Sequence, residues 1–143
     1  MSIYSLAQRT TVTTIAAASH AFLAPATNKP AVMEWGYFNG AATACVVGLG
    51  RTANTPTLTA GVAFLAEEFN APTGLTQGAV AFGTAPTVPT QFFRRFSLAA
   101  LVGAAVVYTF PQGIWLPPAG QALCAWNITA NSAVVDIHAV CSE

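Results

Sequence analysis

Along most of this chain apolar side chains recur at every second position over short runs, and turn-forming residues separate the runs. That is the period of a half-buried β-strand, whereas a helix repeats its apolar positions every three or four residues. The clearest run lies near the end. Val135, Ile137, Ala139 and Cys141 share one face of an extended segment, and Val134, Asp136, His138 and Val140 share the other. The same pattern predicts strands over Thr10–Ala18, Ala31–Phe38, Thr43–Leu49, Leu58–Glu67, Gln77–Phe82, Gln91–Phe96, Gly103–Phe110, Gln121–Asn127 and Val134–Val140. Their separators ("APATNKP", "NG", "GRTANTP", "NAPTG", "TAPTVPT", "FPQG", "LPPAG", "TANS") are rich in Gly, Pro, Asn and Thr. About eight short strands in 143 residues predict an all-β, single-domain β-sandwich, jelly-roll-like, over residues 10–143. Residues 1–9 are short of alternation and are expected to form an extended N-terminal arm. Ile3, Tyr4 and Leu6 would lie across a neighbouring subunit, pairing with an exposed strand edge.

Composition changes the picture of the surface. The chain has five Lys/Arg and five Asp/Glu, a charged fraction of 7%, no net charge and a mean hydropathy of +0.54. A typical soluble protein is about 25% charged. Zero net charge gives no electrostatic footprint for nucleic acid or an anionic membrane, so neither is an expected partner. A spanning helix needs roughly 20 apolar residues. The longest smooth apolar piece, Leu98–Phe110, is shorter than that, and Pro111, Gly113, Pro117, Pro118 and Gly120 interrupt the chain beyond it. Regular strands with aromatic girdles, the signature of a membrane barrel, are not evident. The surface is therefore expected to be covered by copies of the chain or by a partner. "MSIYSLAQRTTV" lacks a basic segment followed by an apolar one, so no signal peptide is expected.

Candidate chemistry is sparse. Cys45, Cys124 and Cys141 make an odd count without CxxC spacing, which argues against a disulfide framework and a zinc knuckle. With Asn131–Ser132 as a hairpin tip, Cys124 would face Ala139 and Cys141 would face Ala122, leaving the thiols out of register. Asp136 and His138 are i, i+2 neighbours roughly 7 Å apart on one strand face. An activated nucleophile to complete a triad is missing, as is a GxSxG elbow. His20 and His138 are the only histidines, with no HxH, HExxH or acidic calcium loop, so no metal is expected. "GLGR" ends in a strand turn rather than a phosphate loop, and "AEEF" reads as a solvated strand end. "NIT" at Asn127–Thr129 matches a glycosylation acceptor that the missing signal peptide makes irrelevant. In "QFFRRFSL", alternation places one of Arg94 and Arg95 toward the apolar side, where Glu34, Glu67 or Asp136 is the expected ion-pair partner. No catalytic residue and no cofactor are expected.

"MEWGYFNGAATACVVGLGR", "FFRRFSL" and "FPQGIWLPPAGQALCAWNITANSAVVDIHAV" resemble small virion proteins of tailed bacteriophages, of the capsid decoration or cement type. The resemblance covers about half the chain, mostly its C-terminal half. It implies a jelly roll, commonly a homotrimer, seated on the outer capsid surface and bridging subunits of the major capsid protein. It also implies a virion location after assembly in the host cytoplasm, and no catalytic residues. "LPPAG" followed by an alternating strand also recurs in trimeric TNF-like and C1q-like heads. The alternative is accordingly a trimeric receptor- or carbohydrate-binding head of a phage fibre or surface appendage, whose aromatic platform would come from Trp35, Trp115 or Trp126. The candidate interface residues are Ile3, Tyr4, Leu6, Arg94, Arg95, Trp115 and Trp126.

Overall fold

The computed structural model describes residues 1–10, 17–25, 27, 29–69, 71–117, 120–129 and 134–143. Thirteen strands run along it: β1 Ile3–Arg9, β2 Ala17–Leu23, β3 Ala31–Asn39, β4 Cys45–Arg51, β5 Thr57–Thr59, β6 Val62–Ala63, β7 Leu65–Ala66, β8 Gln77–Ala79, β9 Ala81–Thr84, β10 Arg94–Leu98, β11 Ala105–Trp115, β12 Leu123–Thr129 and β13 Val135–Ser142. The described residues contain no helix, so none is long and apolar enough to cross a membrane. The first sheet has the order β11-β3-β13-β1-β7, the second β10-β4-β12-β2-β8-β6, and β5 pairs with β9. All pairings are antiparallel.

Eight strands of five or more residues carry the architecture. Four of them, β1, β3, β11 and β13, lie in the first sheet, and β2, β4, β10 and β12 lie in the second. In chain order they switch sheet at every step except from β4 to β10. That interleaving is of the jelly-roll kind. The expected count of about eight is corrected to thirteen, because residues 52–93 add five short strands between β4 and β10. The predicted strand Leu58–Glu67 is among those broken up. Ala60 turns with φ of 52°, and its pieces β5, β6 and β7 join three different sheets.

The expected arm is also corrected. Ile3–Arg9 is a strand inside the first sheet, paired with β13 on one side and β7 on the other. Tyr4 and Leu6 point inward and are buried, while Ser5 lies between them. Gln8, the next inward position, breaks the apolar pattern because it serves a polar partner. Its Oε1 accepts a hydrogen bond from His20 Nε2 at 2.5 Å, which ties β1 to β2 across the sandwich. Most of the predicted strand Thr10–Ala18 lies outside the described residues. The expected hairpin between β12 and β13 is absent as a pairing, since the two strands belong to different sheets and their connection at 130–133 is not described.

The main core fills the space between the sheets. Val32, Trp35, Tyr37, Val135, Ile137 and Cys141 of the first sheet meet Phe22, Val47, Leu49 and Leu123 of the second. Phe96 closes one side, with ring centroids 5.8 Å from Trp35, 6.5 Å from Tyr37 and 5.7 Å from Tyr108. A second cluster lies on the outer face of the second sheet. Ala21, Ala122, Cys124 and Trp126 are buried there beneath Leu58, Phe82 and Phe92 from the 52–93 segment. Asn54 fastens this cover. Its amide donates to Ala85 O at 2.9 Å, and its carbonyl oxygen accepts from Thr87 N at 2.8 Å. Phe92 lies so close to Gly48 that a Cβ there would sit 2.7 Å from the ring.

Candidate functional site

A groove lies where the β11 edge of the first sheet meets the β10 edge of the second. Local sequence builds it. The β11–β3 pairing slips between Thr109 and Ile114, so "FPQG" leaves the ladder as a bulge. Gly113 at its end has φ of 68°, and a Cβ there would overlap the side chain of Ala31. The bulged segment forms one lip, with Phe93, Arg94 and Arg51 opposite, around a cavity of about 530 Å³.

The two arginines are held by rings and carbonyls rather than by carboxylates. Arg51 Nη2 donates to Trp115 O at 2.6 Å, and its guanidinium lies 5.0 Å above the Phe93 ring. Arg94 Nη1 donates to Phe93 O at 2.7 Å, and its guanidinium stacks 5.5 Å from Tyr108 and 5.4 Å from Phe110. Cation–π contact explains why these charges sit at an apolar edge. No Asp or Glu lines the groove. The expected ion pair to Glu34, Glu67 or Asp136 is therefore corrected. Asp136 is taken by Arg9 at 2.7 Å and Glu34 by His138 at 2.9 Å, while Glu67 lies across the sandwich beyond β7. Chemically, the groove suits a partner that offers a carboxylate beside an apolar group.

The candidate interface residues separate into two groups. Arg94, Arg95 and Trp115 are exposed, with Trp115 at 56%. Ile3 is half-buried opposite Ser142. Tyr4 and Leu6 belong to the main core, and Trp126 lies at 1% exposure under the cover with its Nε1 donating to Gly50 O at 3.5 Å. Trp35 is likewise buried. Of the three tryptophans, only Trp115 reaches solvent.

Asp136 and His138 share the outer face of β13 as the alternation requires, yet each turns to its own partner. Two hydrogen bonds of 2.7 Å from Arg9 hold the Asp136 carboxyl below the ordinary carboxylate range. His138 lies over Gly36, with its ring centroid 5.7 Å from Phe38. His20 is different. It is buried edge-on to Phe22 at 4.6 Å, and its Nδ1 has no partner among the described residues. Burial lowers its pKa to about 3. The three cysteines are buried. Burial pushes the Cys124 thiol well up and the Cys141 thiol up to about 12. No cluster of three or more His, Cys, Asp or Glu among the described residues could hold a metal ion.

No family model, curated protein or solved structure matches the chain.

Two features are invisible in the sequence alone. Arg51 reads there only as the end of a Gly-rich turn, and nothing local links it to residues 93–115. The Gln8–His20 tie joins residues that look unrelated until the strand order is known. "AEEF" does end a strand, but its position opposite the arginine groove is set by topology.

Proposed function

We propose that the chain is a structural virion protein of the capsid decoration, or cement, type. It assembles as a homotrimer, seats on the outer surface of the major capsid lattice and braces the head. One observation carries this proposal: the unequal cover of the two sheets. The chain's own 52–93 segment closes the outer face of the second sheet over Trp126. The outer face of the first sheet carries Ala7, Phe38, Ala105, Val107 and Val140 with the Arg9–Asp136 ion pair and the His138–Glu34 hydrogen bond, and no comparable segment of described residues closes it. A chain with ten charges (five of each sign) that leaves such a face open is suited to permanent association. Many copies on a repeating shell then add individually weak contacts into firm attachment.

No residue is assigned a catalytic, cofactor or metal role. Asp136 and His138 are surface structure, so Asp136→Asn or His138→Ala should alter packing or assembly at most. The test is mass by light scattering at micromolar concentration, followed by sedimentation with emptied heads of the encoding phage. A trimer that sediments with heads is expected. A 14.7 kDa monomer, or a trimer that stays in the supernatant, would overturn the proposal.

A further inference from the structure

We propose that the corner Glu67–Glu68–Phe69 of one copy seats in the groove formed by Arg51, Arg94 and Trp115 of the next. This rests on the oligomeric reading above and names the contact that builds the assembly.

The charges give the first observation. Arg9 and Asp136 neutralise each other, and Glu34 faces His138. The Glu143 carboxylate accepts the backbone amides of Leu75 at 2.9 Å and Thr76 at 2.6 Å. Glu67 and Glu68 are the carboxylates left over, both outside the core and without a side-chain partner among the described residues. They come directly after β7, at one side of the sandwich. Of the remaining cations, Arg51 and Arg94 line the groove, and Lys29 borders its continuation past Trp115. A chain of zero net charge thus carries its spare anions on one side and most of its spare cations on the other.

Apolar groups segregate in the same way. Among the described residues Phe69 is the most exposed large apolar side chain, Met1 included, with Leu65 beside it. Across the sandwich, Trp115 and Phe93 are exposed in the groove. A phenyl ring flanked by carboxylates is the complement of guanidinium groups flanked by rings. The ring packs on Phe93 and Trp115 while the carboxylates reach Arg51 and Arg94, shedding water from both. A cavity of about 530 Å³ has room for such a side chain.

The two patches lie on opposite sides, one at the β7 edge and the other at the β10 and β11 edges. Neither can meet a copy of itself, so the contact is heterologous. Repeated, it closes a ring or runs on as a chain, according to the rotation between copies.

The test uses the full chain with mass read by light scattering over a concentration series, and folding checked by circular dichroism. Glu67→Arg/Glu68→Arg and Arg94→Glu should each raise the concentration of half-dissociation by about tenfold or more. Phe69→Ala should do the same, and a side chain so exposed has no part in the fold. Combining Glu67→Arg/Glu68→Arg with Arg94→Glu should recover much of the lost association. If the corner variants keep the wild-type mass at every concentration, the contact is wrong and the oligomer stands. Loss without recovery in the combined variant also overturns it, because the patches then matter separately. Variants that keep their mass yet no longer sediment with phage heads would place the corner against the shell instead. A monomeric wild-type chain removes the oligomer itself, and the contact with it.

Discussion

The two sheets solve the same problem in different ways. Each has an inner face packed into one shared core and an outer face that alternation leaves partly apolar. The second sheet buries its outer face intramolecularly, beneath the strands and loops of residues 52–93. The first sheet places the Arg9–Asp136 ion pair, the His138–Glu34 hydrogen bond and scattered apolar side chains there, and no segment of described residues closes it. One face therefore contributes to the stability of the chain, and the other is the face that the proposed assembly would cover. Substitutions on the two faces should read out differently, the first as unfolding and the second as assembly.

Removing the anchor of the cover should have the largest effect. Trp126→Ala empties a site at the centre of the second cluster and should cost roughly 3–5 kcal/mol in urea denaturation. The exposed Trp115→Ala should stay within about 0.5 kcal/mol in the same assay and instead weaken association. Equal losses in stability would erase the distinction between buried cover and open surface.

Acid should act next, through the tie between the sheets. His20 is held neutral in the folded protein at a pKa of about 3, against an ordinary 6.5 in the unfolded chain. Its contribution is fully present above pH 6.5 and is lost as pH falls toward 3, because the unfolded chain takes up the proton first. The loss across that window is on the order of a few kcal/mol. Urea midpoints at pH 7 and pH 4 measure it. A His20→Leu variant should have a flatter pH profile, and an unchanged slope would assign the effect elsewhere.

Glycines beneath side chains on the two faces offer a finer comparison. Gly48→Ala drives a methyl against Phe92, which the cover holds in place, and should cost about 1–3 kcal/mol. Gly36→Ala meets the His138 ring on the open face, where the ring can swing toward solvent, and should cost less. The smallest effect belongs to Asp136→Asn. Its pair with Arg9 is largely solvent-exposed, so any loss should vanish in high salt. Because Asp136 is held below the ordinary carboxylate range, its contribution is fully present above the usual titration of an Asp and is lost as pH falls below it.

Much of this arrangement is legible in the sequence wherever alternation is clean. Val135, Ile137, Ala139 and Cys141 all face inward as their spacing requires, and Ala31–Phe38 is a strand to within one residue. Legibility fails where a polar side chain has a distant partner. Gln8 hides β1 because its partner His20 belongs to another sheet. It also fails where backbone geometry interrupts an apolar run. Ala60 splits one predicted strand, and the bulge before Gly113 carries β11 five residues past its expected end. The groove is a product of topology. Arg51 and Trp115 are distant in sequence, and only the adjacency of the two sheet edges brings them together.

The interleaved strand order also has a consequence in time. Among the eight long strands only β4 and β10 pair with a successor, and residues 52–93 separate even those two. The strand β1 pairs with β13, the last of the thirteen described strands in chain order. A chain emerging from the ribosome cannot complete its first sheet until β13 has been synthesised. Such non-local pairing belongs to the slow class of folding, in milliseconds to seconds rather than microseconds. Until β13 arrives, Tyr4 and Leu6 remain without their sheet, and the nascent chain is at its most prone to stick to its neighbours.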